Sequence, residues 1–282
     1  MTAVRRFQHR PGATVWRALG YAALILGGLF PLLWMILTSF KSEDELSRFP
    51  VQYLPSHWSL HNYRLVFSEQ PFATFFLNSL LVSVVSTALC VGIAALAAYA
   101  LARLNLRRRG LYTTLIVTFS MFPVISLMVP LFRIMRGVNL LNTYPALILP
   151  YTALSLPIAI LVLVAFFSGI PRDLEAAAMV DGCSRVGALR RIILPLSAPG
   201  VVTAALLVFV NSWNEFLLAL SLTTRPAMRT VSVGVTLYQG EFSFPWPLIS
   251  AAIVIGLVPI VLLIVVFQKR FVAGLAAGGV KA

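Results

Sequence analysis

The stretch Glu175-Ala-Ala-Ala-Met-Val-Asp181-Gly182 is the one long polar-flanked segment between the long apolar runs of this sequence. Because charged residues surround it, we expect it to lie in water rather than in lipid. Its alanines favour a helix, and Glu175 falls in the first turn, where the helix dipole favours a negative charge. Asp173 is a good N-cap, and Gly182 suits the helix end because glycine adopts the left-handed conformation at little cost.

A second short helix is predicted after this glycine. Ser184 can cap its start, and Pro195 is expected to close it. Each helix is far shorter than the roughly 12–15 residues at which an isolated helix is stable in water. We therefore expect residues 171–195 to be ordered by docking into a cleft of a partner.

The full pattern of this segment is Glu-Ala-Ala, three residues, Asp-Gly, nine residues and Ile-x-Leu-Pro. It resembles the signature loop of bacterial ABC-importer permease subunits, which forms a coupling helix in a groove of the ATP-hydrolysing subunit. Every fixed position of the pattern is present: Glu175, Ala176, Ala177, Asp181, Gly182, Ile192, Leu194 and Pro195. The alternative is an ordinary cytoplasmic loop rich in helix formers.

The composition is that of a membrane protein, since 59% of the 282 residues are hydrophobic and 11% are charged. Soluble domains contain about 45–50% apolar and about 25% charged residues. The apolar runs lie at about residues 18–37, 75–101, 111–134, 146–167, 199–222 and 248–267. They predict an all-α polytopic fold with six transmembrane helices. The resemblance implies the type I ABC importer transmembrane fold, as one domain over residues 1–282 with a core at about 75–271.

The basic residues give an orientation for these six spans. The net charge is +13, but the arginines and lysines lie scattered at the ends of apolar runs, which argues against a nucleic-acid-binding patch. Fifteen of the 22 basic residues lie in the N-terminal segment, the loops after the second and fourth runs, and the C-terminal tail. Since positive charge accumulates on the cytoplasmic side, both termini and the signature loop are predicted to be cytoplasmic.

Polar residues within the runs are candidates for a translocation path. Ser83 belongs to a stripe of small polar residues on the second run, which is suited either to helix association or to lining a solute path. The fifth run carries Asn211, Asn214 and Glu215. Glu215 is expected near the far interface, either facing solute or at the headgroup level with Trp213 as an interfacial anchor.

The loop before the last run contains the aromatic residues Phe242, Phe244 and Trp246. Aromatic side chains often dominate the binding energy of protein interfaces. We predict that this loop contacts an extracytoplasmic solute-binding protein.

Several kinds of chemistry are missing from the sequence. It has no Gly-x-x-x-x-Gly-Lys-Ser/Thr phosphate loop, no His-Glu-x-x-His and no Gly-x-Ser-x-Gly. His57 and His61 are spaced for a metal on a helix, but Pro55 precedes them and no carboxylate accompanies them, so a loop is expected. We predict no catalytic residue, no metal site and no cofactor bound by this chain, with ATP and Mg held by partner subunits.

The resemblance also indicates a branch of the family. The ending Ala98-Tyr99-Ala100-Leu101-Ala102-Arg103 resembles sugar importers, and the glycine-rich tail after Phe271 resembles maltose-type permeases. It implies a permease subunit in the bacterial inner membrane that works with a second homologous permease, two ABC ATPase subunits and an extracytoplasmic binding protein. The alternatives are an importer of a non-carbohydrate solute, a secondary transporter or a membrane-embedded enzyme.

The predicted topology can be measured with reporter fusions. Fusions after Arg109 and after Arg185 are expected to report the cytoplasm, because positive charge accumulates there. Fusions near Pro55 and Phe242 are expected to report the opposite side. A cytoplasmic signal at Phe242 would contradict the six-span arrangement.

Overall fold

The computed structural model describes the backbone of residues 11–240 and 243–279 and the side chains of residues 19–240 and 243–268. Over these residues the regular structure is entirely helical, which confirms the predicted all-α fold. The α-helices are α1 Pro11–Ser39, α2 Glu43–Leu46, α3 His61–Glu69, α4 Phe72–Arg103, α5 Arg109–Ser120, α6 Val124–Gly137, α7 Tyr144–Ser168, α8 Arg172–Val180, α9 Arg185–Ala188, α10 Leu194–Leu196, α11 Ala198–Asn214, α12 Leu217–Leu222, α13 Val231–Gly234 and α14 Trp246–Gly279. A π-helical turn, Leu189–Ile193, joins α9 to α10.

Four helical segments within the described residues are long and apolar enough to cross a membrane individually. They are Leu19–Ser39 of α1, Phe72–Arg103, Tyr144–Ser168 and Trp246–Gln268 of α14. Two further pairs of helices meet the same test only together, α5 with α6 and Arg185–Leu196 with α11, and they are bent by 89° and 84° respectively. The number of spans therefore reaches the predicted six when each bent pair counts as one.

Proline explains one of these bends. α5 ends at Ser120, and α6 begins only after Pro123, as expected because a residue that precedes proline disfavours the helical conformation. Pro130 lies within α6 without ending it. The helix is thus broken at Pro123, whereas Pro130 is accommodated within a continuous helix.

The chain forms two compact units. The smaller one contains the described residues up to Glu69 together with Tyr238–Ile255. It contains a polar cluster in which the Asn62 side-chain amide donates to the carbonyl oxygens of Ser39 and Lys41, at 2.9 and 2.8 Å. The Lys41 ammonium donates to the Gln52 carbonyl at 2.6 Å and lies 4.6 Å from the centroid of the Trp34 ring. Lys41 is buried, and these two contacts partly compensate its ammonium group for the loss of water.

The larger unit, Gln70–Leu237 with the residues from Gly256 onward, is built on three mutually packed helices, α4, α7 and α11. Their shared core is mostly small and aliphatic near one end of α4, where Ala94, Ala98 and Leu163 are buried. Gly200 at the start of α11 lies against Phe166, so close that a Cβ there would approach the phenyl ring to 2.3 Å. Small residues thus permit the close helix packing that is typical of membrane proteins.

The fifth apolar run was predicted as one helix over residues 199–222, but the structure divides it into two helices. α11 ends at Asn214, and α12 begins at Leu217. Glu215 and Phe216 form the break between them, and the Glu215 backbone is extended, with φ −66° and ψ 128°. The carboxylate of Glu215 accounts for this interruption, because it accepts hydrogen bonds from the backbone amides of Leu218 and Ala219 in α12.

Candidate functional site

The signature loop contains the predicted pair of short helices with a sharp corner between them. α8 begins at Arg172, so Pro171 occupies the N-cap position and Asp173 lies in the first turn; the expectation that Asp173 caps the helix was wrong. Proline fits there because its fixed φ suits the start of a helix and it lacks an N–H that would need a partner. Asp173 and Glu175 both lie where the helix dipole favours negative charge.

The corner is at Gly182, which has φ +84° and is the expected left-handed residue. Its amide donates to the Met179 carbonyl at 3.1 Å, and the next amide, of Cys183, donates to Ala178 at 2.9 Å. These bonds satisfy carbonyl groups at the end of α8, as glycine-terminated helices commonly do. Ser184 then caps α9 as predicted, because its hydroxyl accepts from the Gly187 amide at 3.2 Å.

The second half of the loop is longer than predicted. The helical path continues from α9 through the π-helical turn and past Pro195 to Leu196, so Pro195 does not close it. The turn before α11 comes at Ser197 instead, with the bend of 84°. Leu189 and Ile193 are buried in the core shared with α4, α7 and α11. Apolar packing therefore anchors this half of the loop to the helix bundle.

The first half of the loop is attached differently. Glu175 is the only buried residue of α8, with 8% of its surface exposed. Its carboxylate accepts a hydrogen bond from the Tyr99 hydroxyl and lies 3.7 Å from Nε of Arg103. The Arg103 guanidinium also donates to the Ile170 carbonyl at 2.8 Å, just after α7. We call Tyr99, Arg103 and Glu175 the polar node.

A cavity of about 530 Å³ opens beside the polar node, between the end of α4 and α8. Besides Glu175 and Arg103, its lining includes Arg172, Met179 and Arg185. Since Arg103 already faces Glu175, the other two arginines leave the mouth of this cavity positively charged. Such a mouth favours an acidic group from outside the chain.

The rest of α8 is exposed, including its apolar side chains. Val180 is 87% exposed, and Leu174, Met179 and the nearby Val186 are also exposed. Exposed apolar side chains on a short helix outside the candidate spans are typical of a protein interface. The loop is therefore fixed to its own chain on one side and uncovered on the other.

The eight signature positions divide between these two sides. Ala176, Ala177, Asp181, Gly182 and Pro195 are exposed, whereas Glu175 is buried and Ile192 and Leu194 are half-buried. Tyr99 and Arg103 lie outside the pattern and were not predicted as site residues. The two residues are four positions apart at the end of an apolar run, which places both on one face of α4. This spacing is the feature of the sequence that could have identified them as a polar pair.

Glu215 occupies the break between α11 and α12. Its carboxylate accepts from the amides of Leu218 and Ala219, at 2.8 and 3.0 Å, and from the Tyr151 hydroxyl at 2.6 Å. It thus caps the start of α12 and joins it to α7. Trp213 is 4% exposed and donates to the Gly256 carbonyl at 3.1 Å, so it is a buried packing residue and not an interfacial anchor.

The other residues predicted for a translocation path lie in different surroundings. Asn211 and Asn214 are exposed on α11, three residues apart and so on one face of the helix. Asn211 also donates to the Ser155 hydroxyl at 3.2 Å. Ser83 is buried in α4, and its hydroxyl has no hydrogen-bond partner within the described residues.

The predicted aromatic contact surface is partly described. Phe244 and Trp246 are exposed, and their rings stack with centroids 6.0 Å apart. Phe242 lies outside the described residues. As for metal ligands, no three His, Cys, Asp or Glu side chains come together in the part of the chain that the structure describes.

The fold is an all-helical membrane bundle with a partly uncovered loop between two candidate spans. The chain belongs to the family of binding-protein-dependent transport system inner membrane components, whose family model matches residues 90–276. The resemblance stated from the signature loop is confirmed. Members of this family that are similar to this chain are transport permeases rather than enzymes.

Similar proteins lie in the carbohydrate branch. The sulfoquinovosyl glycerol transport system permease protein SmoH of Agrobacterium fabrum is 57% identical over 265 residues, which cover 94% of this chain and 93% of the relative. The trehalose transport system permease protein SugB of Mycobacterium tuberculosis is 41% identical over 272 residues, or 95% and 98% of the two chains.

A solved structure supports the fold. A chain of a bacterial ABC transporter involved in the import of the acidic polysaccharide alginate matches with a TM-score of 0.80 and 21% identity, covering 96% of this chain and 100% of that one. A second match, with a TM-score of 0.61, comes from the bacterial alginate ABC transporter in complex with an alginate pentasaccharide-bound periplasmic protein. The fold is that of an ABC importer transmembrane subunit.

Substitution of Glu215 distinguishes a capping role from contact with solute. Glu215→Ala removes the acceptor for two amides and a hydroxyl, so the stability of the protein is expected to fall by about 1–3 kcal/mol. The measurement is the midpoint of thermal aggregation in detergent, with Glu215→Gln expected to lose less because it keeps one acceptor oxygen. Asn214→Ala is the control, since this exposed amide bonds only within α11, to Val210. An unchanged midpoint with impaired uptake would instead indicate contact with solute.

Proposed function

We propose that this chain is a transmembrane subunit of an ATP-driven importer of a sugar or sugar-like solute, and that residues 171–195 couple it to an ATP-hydrolysing partner. The observation that carries the proposal is the construction of the signature loop. One side is tied to the bundle by the polar node and by buried Leu189 and Ile193, while the apolar side chains of α8 remain exposed. A helix of nine residues with such a surface requires a partner to cover it.

The distribution of charge supports a cytoplasmic location for this surface. The loop contains Arg172, Arg185, Arg190 and Arg191, and the neighbouring loop after α4 contains Arg107, Arg108 and Arg109. Accumulation of positive charge is typical of the cytoplasmic side of the membrane. In this arrangement both termini are cytoplasmic, and the loop faces the compartment in which ATP is hydrolysed.

The proposed partners are inferred from the family and from the expectation that a single chain forms only part of a solute path. The exposed face of α11 in this chain, with Asn211 and Asn214, is suited to line a solute path together with a second, homologous permease. Ser83 and Glu215 are placed further inside the bundle and contribute less directly. Two ATPase subunits would hold the nucleotide and Mg, and this chain would bind no cofactor of its own.

The names of the relatives support a glycoside as the solute. They include permeases for sulfoquinovosyl glycerol, for trehalose, and for trehalose and maltose. A non-carbohydrate solute is the alternative within the same family. A secondary transporter would need an ionisable group available near mid-membrane, and the Glu215 carboxylate is already occupied by two amides and a hydroxyl.

The exposed, stacked rings of Phe244 and Trp246, together with Phe242, are proposed to contact the solute-binding protein. Trp246→Ala and Phe244→Ala are expected to reduce the stimulation of ATP hydrolysis by loaded binding protein, because aromatic side chains often dominate interface energy. Stimulation is measured with the reconstituted complex. Trp58→Ala is a control, since Trp58 is also an exposed aromatic residue outside the spans. Equal stimulation of all three variants and of the unsubstituted complex would contradict this contact.

The coupling role of the loop is tested at its corner. A valine at Gly182, with φ +84°, must adopt a left-handed conformation at a cost of roughly 1–2 kcal/mol or more, which would turn α9 relative to α8. Gly182→Val is expected to abolish uptake and to lose ATPase subunits on purification in mild detergent. The protein should still accumulate in the membrane, because this position lies outside the spans.

The matched control for this test is Gly110→Val. Gly110 lies in the first turn of α5, at the start of a candidate span, and a Cβ there would meet no atom within 4 Å. Its uptake is expected to remain normal. Normal uptake by the Gly182→Val variant would show that the loop is not the coupling element.

A further inference from the structure

We infer that α4 carries movement between the coupling loop and the opposite face of the membrane, and that Tyr99, Arg103 and Asn78 are the positioning residues that attach its two ends. This inference rests on the proposed function, because it concerns how movement of the partner ATPase reaches the solute path. Neither end of α4 belongs to the signature pattern.

The first end is attached through the polar node. All of α8 except Glu175 lies at the surface or half-buried, so its position relative to the bundle depends on that one carboxylate. Tyr99 of α4 donates a hydrogen bond to it, and Arg103 of α4 forms an ion pair with it at 3.7 Å. The Arg103 guanidinium also donates to the Ile170 carbonyl. A displacement of α8 therefore acts first on α4 and on the end of α7.

Burial makes this attachment stiff. Arg103 is 8% exposed, and so is Glu175. A buried charge that loses its partner is strongly destabilised, which means that the two side chains are expected to move together rather than to separate. The hydroxyl of Tyr99 adds a second, directional bond to the same carboxylate. Exposed ion pairs elsewhere on a protein surface would not transmit a displacement in this way.

The other end of α4 is fixed by a second set of polar contacts. The Asn78 amide donates to the carbonyl oxygens of Ala227 and Arg229, both at 2.9 Å, and its oxygen accepts from the Tyr144 hydroxyl at 2.8 Å. Ser79 accepts from the Val231 amide at 2.8 Å. Both side chains are buried, and together they tie the start of α4 to the loop around residues 226–231.

The helix between these two ends is continuous. α4 has 32 residues, which corresponds to about 48 Å at 1.5 Å per residue, and contains no proline. Towards its C-terminal end it packs on α7 and α11 through small side chains such as Ala94 and Ala98. A continuous helix with a fixed attachment at each end can move as a rod, whereas the bent pair of α5 and α6 has a break in its path. The geometry thus favours α4 as the connecting element.

The test uses the complete transport complex in proteoliposomes, and it measures solute taken up per ATP hydrolysed. Tyr99→Phe, which removes one oxygen, and Arg103→Gln are expected to lower this ratio by at least about fivefold, the lower limit of typical coupling between two sites. Asn78→Ala is expected to do the same from the other end. ATPase subunits should still copurify with all three variants. A purely structural role would reduce the amount of complex and leave the ratio unchanged.

A matched control and a double substitution sharpen the result. Arg107→Gln makes the same chemical change as Arg103→Gln at an exposed position nearby and should retain the normal ratio. Adding Tyr99→Phe to Glu175→Gln should lower the ratio by no more than about twofold beyond Glu175→Gln alone, because both changes break one contact. Full multiplication of the two effects would mean that Glu175 acts directly on the ATPase subunit, and it would overturn the inference.

The remaining outcomes separate this inference from the proposed function. If ATPase subunits do not copurify with the unsubstituted chain, the proposed function fails and the inference fails with it. If transport is normal and Tyr99→Phe, Arg103→Gln and Asn78→Ala all keep the normal ratio, only the inference is overturned. An effect of Tyr99→Phe and Arg103→Gln without an effect of Asn78→Ala would overturn the role of α4 as a rod.

Discussion

The buried carboxylate of Glu175 is the interaction on which the arrangement of the signature loop depends. Most of the chain consists of apolar helices, whose side chains can pack but provide little direction for a short helix in water. The polar node supplies that direction, because the Tyr99 hydroxyl donates a directional hydrogen bond to the carboxylate and the Arg103 guanidinium lies beside it as an ion-pair partner. Since Arg103 also holds the Ile170 carbonyl, a single cluster joins α4, the end of α7 and α8.

The two halves of the loop are attached to the bundle by different physical means. The first half depends on the polar node, and the second half depends on Leu189 and Ile193, which are buried in the core of the helix bundle. Between them, Gly182 sets the angle through its left-handed backbone. This combination leaves the exposed face of α8 available to a partner while the loop as a whole keeps its shape. The proposed coupling role requires both a fixed shape and an available surface.

The breaks between helices also depend on the hydrogen-bond partners of polar groups. Glu215 interrupts the fifth apolar run and satisfies two free amides and the Tyr151 hydroxyl at once, so an acidic residue within an apolar segment has a structural purpose. Pro123 separates α5 from α6, yet Pro130, Pro150 and Pro157 remain inside helices. Proline inside a helix removes one backbone hydrogen bond, and within a packed bundle neighbouring groups can satisfy the carbonyl that is freed.

The sequence by itself determined the features that local chemistry controls: the helical class, the positions of the apolar spans, the left-handed corner at Gly182 and the cap at Ser184. It also identified the family, because the signature pattern is long and its spacing is specific. Only the tertiary structure decided which way Glu175 points, that Trp213 is buried, and that Glu215 accepts a hydrogen bond from Tyr151 of α7. These depend on contacts between helices that are distant in sequence, such as the 76 residues that separate Tyr99 from Glu175. Hydrophobic periodicity indicates that a helix packs against other helices. Which helices those are depends on the packing of the whole bundle.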